Sequence, residues 1–550
     1  MASLDRLSVL VVESQPTMRT QLRTMLSSIG MDDVNFAVSA GMAVRRLRER
    51  RYDLILCEYH LGEGQDGQHL LEDLRGHEII PLATLFIMIT GERNYDRVIS
   101  AAELAPNDYI LKPLTSETLR VRLLRAVEKR EAFLPAWRLL EMGDIVEAIA
   151  YCEQTENTHP QYIIDLLRLE AELHAMLGHA DQAEALYRQI LESRAIPWAR
   201  LGLARMLLQK KQHAEAEELL DALIAENENY IDAYDLLARL HEEAGQLELA
   251  RVSLQAATAR SPHRLARLRH LGEVSLELGD ASTAETVMAE VVRKGKYSDF
   301  RDPEDHVRLV QAQLTQGKLD EAASTITDLD KSMGHQPKAI LCKALSTALL
   351  CARQGDVPRA QEALLIAARS SGGASQLSVA LKQELVKACV DNNLGTAASE
   401  VAMDILRHAG DDQTIESTRA MLESRGLAQL SQQIEQRIQA EVKSLIATGA
   451  DKARAGDYDG AVTEMMNAAR KMPGNPHVLF NAALALLRHI EHRGWNDRFA
   501  SQARNLIERA RKLSPGYPKL AAIGEFMHTL IQHYGVRPAT TSPARRTPVP

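Results

Sequence analysis

The first 130 residues alternate two patterns. Short, continuous apolar runs occur at Ser8–Val12 (SVLVV), Val34–Val38, Asp53–Cys57 (DLILC), Thr84–Ile89 (TLFIMI) and Asp108–Leu111 (DYIL). Between them lie stretches of helical period near 16–29, 40–50, 67–75 and 94–104, and a longer one begins at 116. Runs that are apolar throughout, rather than at every second position, predict strands buried on both faces, as in a parallel sheet covered by helices. Five such units predict an α/β, doubly wound, five-stranded parallel sheet, whose ligands bind outside the carboxyl ends of the strands.

After residue 130 the strand pattern stops and helical period continues to about 535. From 117 to 142 it runs on without a glycine. The last helix of the first domain is therefore expected to run into, or pack closely on, the first helix of the next region. Pro135 is placed to kink it.

Self-similarity then appears. A turn residue is followed five positions later by alanine at Gly143/Ala148, Gly178/Ala183, Lys211/Ala216, Gly245/Ala250, Gly279/Ala284, Gly317/Ala322, Gly355/Ala360, Asn393/Ala398 and Gly456/Ala461. The turn-to-turn spacings are 35, 33, 34, 34, 38, 38, 38 and 63. Glycine suits a tight break between helices, and alanine lets the second helix approach the first. Such units cannot bury their apolar faces singly, so a stacked array with one continuous core is expected. A helix pair at about 477–514 is expected to close it. The resulting division is 1–130, a connecting helix and degenerate first unit at 131–160, the array at 161–535, and a tail at 536–550. The tail (VRPATTSPARRTPVP) has four prolines, three arginines and no acid, which predicts disorder.

Composition narrows the classes. Of 550 residues, 45% are apolar and 25% charged, which suits packed domains, while aromatics reach only 4%, which suits alanine- and leucine-rich helices better than a β-sandwich. The net charge of −9 and the pI near 6.1 offer no basic surplus for nucleic acid. Residues 1–130 hold 17 basic and 18 acidic side chains, so neither part is an electrostatic outlier. Five cysteines, none spaced as CxxC, argue against a disulfide framework or structural zinc and fit a reducing, cytoplasmic setting. No apolar run approaches the ~20 residues of a membrane-spanning helix, and Met1–Arg6 does not read as a signal peptide.

Candidate chemistry gathers at the predicted strand ends: Glu13 and Ser14 after the first, Glu58 after the third, Thr90 after the fourth, and Lys112 after the fifth. Carboxylates, a hydroxyl and a lysine on one rim suit a divalent metal and a phosphoryl group. With VLVVES, DLILCEYHLGEGQDG, FIMITGE and DYILKPL in this order, residues 5–130, about a quarter of the chain, resemble the CheY-like receiver domain of bacterial response regulators. The resemblance implies an acidic pair that holds Mg²⁺, an aspartate that accepts phosphate, a phosphate-contacting hydroxyl and lysine, and an aromatic switch position. Thr90, Lys112 and Tyr109 match the last three. Glu13-Ser14 stands for the pair and Glu58 for the acceptor, so the metal set becomes Glu13, Ser14 and Glu58 with one hard anionic ligand fewer.

Neither nearby aspartate restores the pattern. Asp53 begins its strand, ~16 Å from the rim, and Asp66 lies in the loop beyond Glu58. A glutamate places its carboxylate one methylene farther out, where a shift near ~1 Å can cost ~100-fold in an in-line transfer. The longer carboxylate is expected to pair with Lys112 in partial imitation of the phosphorylated state. A vestigial Glu58, a Thr90 that merely caps a turn and a Lys112 kept by any nearby carboxylate are the plainer alternatives. The run Arg45, Arg46, Arg48, Arg50 and Arg51 reads as a solvated helix face.

The helical array resembles the tetratricopeptide repeat, whose period is 34. Ile231–Pro262 carries its pattern at Tyr234, Leu237, Ala238, Gly245, Ala250, Leu254, Ala257 and Pro262, and the unit at 442–473 does so at Gly449, Gly456, Ala461, Ala468 and Pro473. The resemblance implies a right-handed superhelix whose groove takes a peptide or helix of a protein partner.

No GxxxxGK[ST], HExxH or GxSxG is present. His489 and His492 are three apart on a predicted helix, where surface histidines are commoner than a metal pair, and Cys342 and Cys351 suit buried apolar positions. The expectation is a non-enzymatic signalling adaptor that requires no cofactor. Its partners would be a protein in the repeat groove, an upstream kinase or signalling protein, and a second copy through the receiver face. An ordinary phosphorelay receiver and a static assembly scaffold are the rival readings.

Overall fold

Each of the five apolar runs forms a strand: β1 (Val9–Val12), β2 (Val34–Ala37), β3 (Leu54–Glu58), β4 (Leu85–Thr90) and β5 (Asp108–Leu111). They pair in parallel in the order β2-β1-β3-β4-β5. The computed structural model describes residues 4–61, 66–91, 107–262, 264–296, 298, 300–370, 377–409, 412–425, 427–514 and 518–535. The helix expected near 94–104 and the tail lie outside these residues.

Alternate residues of each strand feed two cores. Leu10, Val12, Ile55, Cys57, Phe86 and Met88 face α2 (Ala40–Glu49) and α3 (Gly67–Gly76). Val9, Val11, Leu54, Leu56, Ile87 and Ile89 face α1 (Pro16–Ser28) and α4 (Ser116–Glu141). Each buried leucine or isoleucine contributes about 2 kcal/mol by leaving water, which is why strands apolar throughout settle between two helical layers. Asp53 lies at the opposite end of the sheet from the site. It accepts from Ser8 Oγ at 2.8 Å and pairs with Arg130 of α4 at 2.6 Å.

The junction is one helix. α4 runs through Pro135, burying Leu119, Leu123 and Val127 in the sheet domain and then Phe133 and Ala136. The boundary expected at 130 therefore falls inside a helix, because no residue there breaks it.

The repeats follow the turn spacing closely. All nine turn residues have positive φ, including the two that are not glycine, Lys211 (59°) and Asn393 (59°). The nine alanines five positions on are each at most 2% exposed. Gly272 and Gly449 hold the same place in their units. A Cβ added to either would lie 2.4 Å from the sulfur of a methionine, Met288 or Met465, on the facing helix. Contacts divide the chain into two packed units, Met1–Ala175 with His179–Ser370, which hold the sheet domain and the earlier repeats, and Met176–Gly178 with Ser371–Pro550. In the second, the 63-residue gap is filled by Asp412–Ser424 and the long helix Ala428–Arg454. There the expected closing pair, Pro476–Arg493 and Asp497–Leu513, is followed by a third helix, Leu520–His533. Its buried Leu520, Ile523, Met527 and Leu530 fall at helical spacing.

In the first unit the first 38-residue spacing has a visible cause. The connection between Ala281–Gly295 and Glu304–Thr315 spans 296–303, eight residues, where that between Leu247–Arg260 and Leu265–Glu277 spans four. This longer loop meets the sheet domain. Phe300 stacks on His77 at 4.1 Å between centroids, lies under Arg48 at 5.4 Å, and packs against the α2–α3 core. Ser298 Oγ donates to Asp73 at 2.5 Å. Nearby, the Glu72 carboxylate accepts from the backbone N–H groups of Leu265 (3.3 Å) and Ala266 (3.0 Å), capping a repeat helix from another domain. The arginine run is accordingly not a solvated face throughout, since Arg48 is part of this contact and Arg50 pairs with Asp33. Glu72→Ala combined with Phe300→Ala should remove about 2 kcal/mol. The check is faster amide exchange at 265–268 and in α3 with α1 unchanged; unaltered exchange at both places would contradict it.

Candidate functional site

At the carboxyl rim of the sheet the chain leaves β1, β3, β4 and β5 at Glu13, Glu58, Thr90 and Lys112. Strand register sets this meeting, since Glu58 pairs with Ile89, and Thr90 with Leu111. Glu58 and Thr90 are the last residues of their strands rather than the first beyond them. Both are buried, as is Glu13.

Lys112 joins the two carboxylates. Its Nζ lies 3.1 Å from Glu13 Oε2 and also binds Glu58 Oε2. The remaining oxygens are engaged by backbone, Glu13 Oε1 by the Gln15 N–H at 2.9 Å and Glu58 Oε1 by the His60 N–H at 3.2 Å. Burial works to lower the Lys112 pKa, but the hydrogen bonds and charges of Glu58 and Glu13 outweigh it, so the amine titrates above its ordinary value. Glu13 is 1% exposed and Glu58 8%, and one ammonium serves both.

Other predicted residues stand nearby in different ways. Ser14 is half-buried, and its carbonyl accepts from Arg19 at 2.7 Å, as does that of Glu13 at 2.8 Å. The Thr90 carbonyl accepts from the Lys112 N–H at 2.7 Å. Tyr109 is half-buried and packs against the α2–α3 core. Asp66 is the N-cap of α3, accepting from the His69 N–H at 2.9 Å and pairing with its Nδ1 at 3.0 Å. Cys57 is buried beneath the rim, where burial pushes its thiol well up.

Gly67 is a site residue that pattern reading missed. An added Cβ there would meet the Glu58 carbonyl oxygen at 2.4 Å, so α3 starts pressed against the strand end that carries the carboxylate. The Asp66-Gly67 pair before an amphipathic run was the available signal.

In the second unit, His489 and His492 do not converge. His489 Nε2 contacts Asp459 at 2.9 Å, and His492 stacks on Tyr458 at 4.4 Å. Cys342 and Cys351, in the first unit, are buried. No helix among the described residues is long and apolar enough to cross a membrane.

Comparison with known proteins agrees with both halves of this picture. The response regulator receiver domain family matches residues 9–124, and two tetratricopeptide repeat families match 197–240 and 236–299. The chemotaxis protein CheY-3 of Vibrio cholerae is 28% identical over 123 residues, 22% of this chain and 93% of that protein. The chemotaxis protein CheY of Pseudomonas aeruginosa is 25% identical, over 22% of this chain and 98% of its own length. Among solved structures, the receiver domain of a sensor histidine kinase from Pseudomonas aeruginosa, with magnesium in its active site cleft, is 26% identical. It covers 22% of this chain and 98% of its own, with a TM-score of 0.20. The chain thus carries a response regulator receiver domain followed by tetratricopeptide repeats.

Proposed function

We propose that this protein is a signalling adaptor whose receiver works without phosphorylation and whose repeats bind a protein partner. The observation that carries this reading is the Lys112 ammonium held between Glu13 and Glu58. An acceptor carboxylate must present an oxygen in line with the phosphoryl donor, and Glu58 is instead held toward Lys112 by one oxygen and toward the His60 N–H by the other. The added methylene lets the carboxylate reach the lysine directly, so the ion pair is made without a phosphoryl group.

The same arrangement speaks against a resident Mg²⁺. A divalent cation needs oxygen donors that are free to turn toward it. Here a monovalent cation occupies the space between the two carboxylates, and Ser14 offers a neutral hydroxyl where the family pattern has an acid. The residues present do not fit the metal while Lys112 holds this place. The adaptor role itself asks for no catalytic chemistry of these residues.

The test is intact mass of the full chain after incubation with Mg²⁺ and acetyl phosphate. The native protein is expected to carry no phosphate adduct; an adduct at or near Glu58 would overturn the proposal and return the chain to an ordinary phosphorelay. The docking of α3 on the loop at 296–303 favours a second reading, a receiver that acts as a fixed part of the scaffold. That reading requires Glu58→Ala to leave partner binding unchanged, whereas the adaptor reading requires it to weaken.

A further inference from the structure

The first helices of three successive repeats, Pro197–Gln209, Ile231–Glu243 and Leu265–Glu277, line a cleft of about 160 Å³. Four arginines and two aspartates face it. The aspartates are taken. Asp235 receives a two-pronged contact from the buried Arg267, at 2.7 and 2.8 Å, and Arg264 reaches Asp232 at 3.4 Å and Asp235 at 3.3 Å.

Arg205 and Arg239 differ. They are exposed, 34 residues apart and so at the same place in consecutive repeats, and among the described residues neither has an ion-pair or hydrogen-bond partner. In a chain of net charge −9, this is a spot of unspent positive charge. A second observation concerns the rim. Ala266 lines the cleft, and its N–H already holds the carboxylate of Glu72 from α3. One acidic side chain of the protein itself is therefore bound by the backbone of a residue that lines the cleft.

We propose that this cleft binds an extended acidic segment of a partner protein, with Arg205 and Arg239 each taking a carboxylate. Neighbouring helices lie ~10 Å apart, which matches acidic side chains three residues apart on one face of an extended polyproline-II segment, at ~3.1 Å per residue. The interleaved Asp232 and Asp235 disfavour a continuous phosphate backbone, which would pass close to both, whereas a peptide can place its charges discretely. The proposal rests on the reading that the array binds a protein partner, and it names that partner's chemistry.

The experiment titrates the full chain against a fluorescein-labelled peptide of about a dozen residues with Glu at every third position and Ser between, read by anisotropy. Arg205→Ala with Arg239→Ala should weaken binding about tenfold, and raising salt from about 50 to about 200 mM should weaken the native complex in the same direction. Arg359→Ala, at an exposed arginine outside the cleft, serves as the control and should change nothing. Since neither cleft arginine supports the fold through a pair, the double variant should melt with the parent. Equal binding by the double variant, absence of binding, or an oligothymidylate that displaces the peptide through the same arginines would each overturn the proposal. The phosphodonor experiment reads the receiver separately.

Discussion

Lys112→Ala should destabilise the receiver by about 3 kcal/mol at neutral pH, the usual order when one partner of a buried ionic cluster is removed and its counter-charges stay behind. Glu13 and Glu58 would then face each other, both buried, with only the Gln15 and His60 N–H groups to support them. The pH dependence gives the effect its signature. In the native protein the Lys112 pKa is raised, so its stabilisation is fully present below the ordinary amine value and is lost as pH climbs past it. In the variant the cation is gone, and one carboxylate is pushed up by its neighbour and by burial. The folded form then binds a proton that the unfolded form releases, so stability should recover as pH falls toward about 5. Urea unfolding at the two pH values measures this. A loss below about 0.5 kcal/mol, or one independent of pH, would mean that the ammonium does not neutralise both acids.

Gly67→Ala should cost about 2–3 kcal/mol, from a single methyl group. The atom it would meet, the Glu58 carbonyl oxygen at 2.4 Å, is backbone, and Cys57 Sγ at 3.1 Å closes the other side. The carbonyl cannot turn away as a flexible side chain would. Relief requires α3 to lift from the end of β3, which shifts Glu58 and loosens the contacts of Glu72 and Asp73 with the repeats. Amide exchange should therefore rise in α3 and at 265–268 together, whereas the α1 side of the sheet stays protected. A variant that melts with the parent would show that α3 has slack at this point.

Much of this was legible in the chain. Strand runs apolar on both faces placed Glu13, Glu58 and Lys112 on one rim, because β-geometry leaves little choice about where such runs end. The nine turn positions were equally plain, since a left-handed residue and a close-packed alanine are local demands. Lys211 and Asn393 show that spacing located even the turns that lack glycine. Contacts between distant segments were not legible. Glu72 caps a helix 193 residues away, and Arg48 gave no sign that Phe300 would cover it. The anomalous 38-residue spacing marked the loop, yet a length anomaly does not say what the extra residues touch. Helix Leu520–His533 falls within the helical period that runs to about 535, but nothing in its apolar spacing marked it as a third member after the closing pair.

The receiver grips the repeats twice, through the unbroken α4 at one end and through α3 at Leu265 and Phe300 at the other. The helices between thus form a ring closed by a non-covalent clasp, and a ring has a set circumference. Lengthening it by one 34-residue unit would carry Leu265 past Glu72 and open the clasp, and shortening it would do the same. Beyond Phe300 this constraint lapses. Repeat number between Met142 and Arg264 is therefore gauged by the receiver, while units after the clasp can be gained or lost without disturbing it.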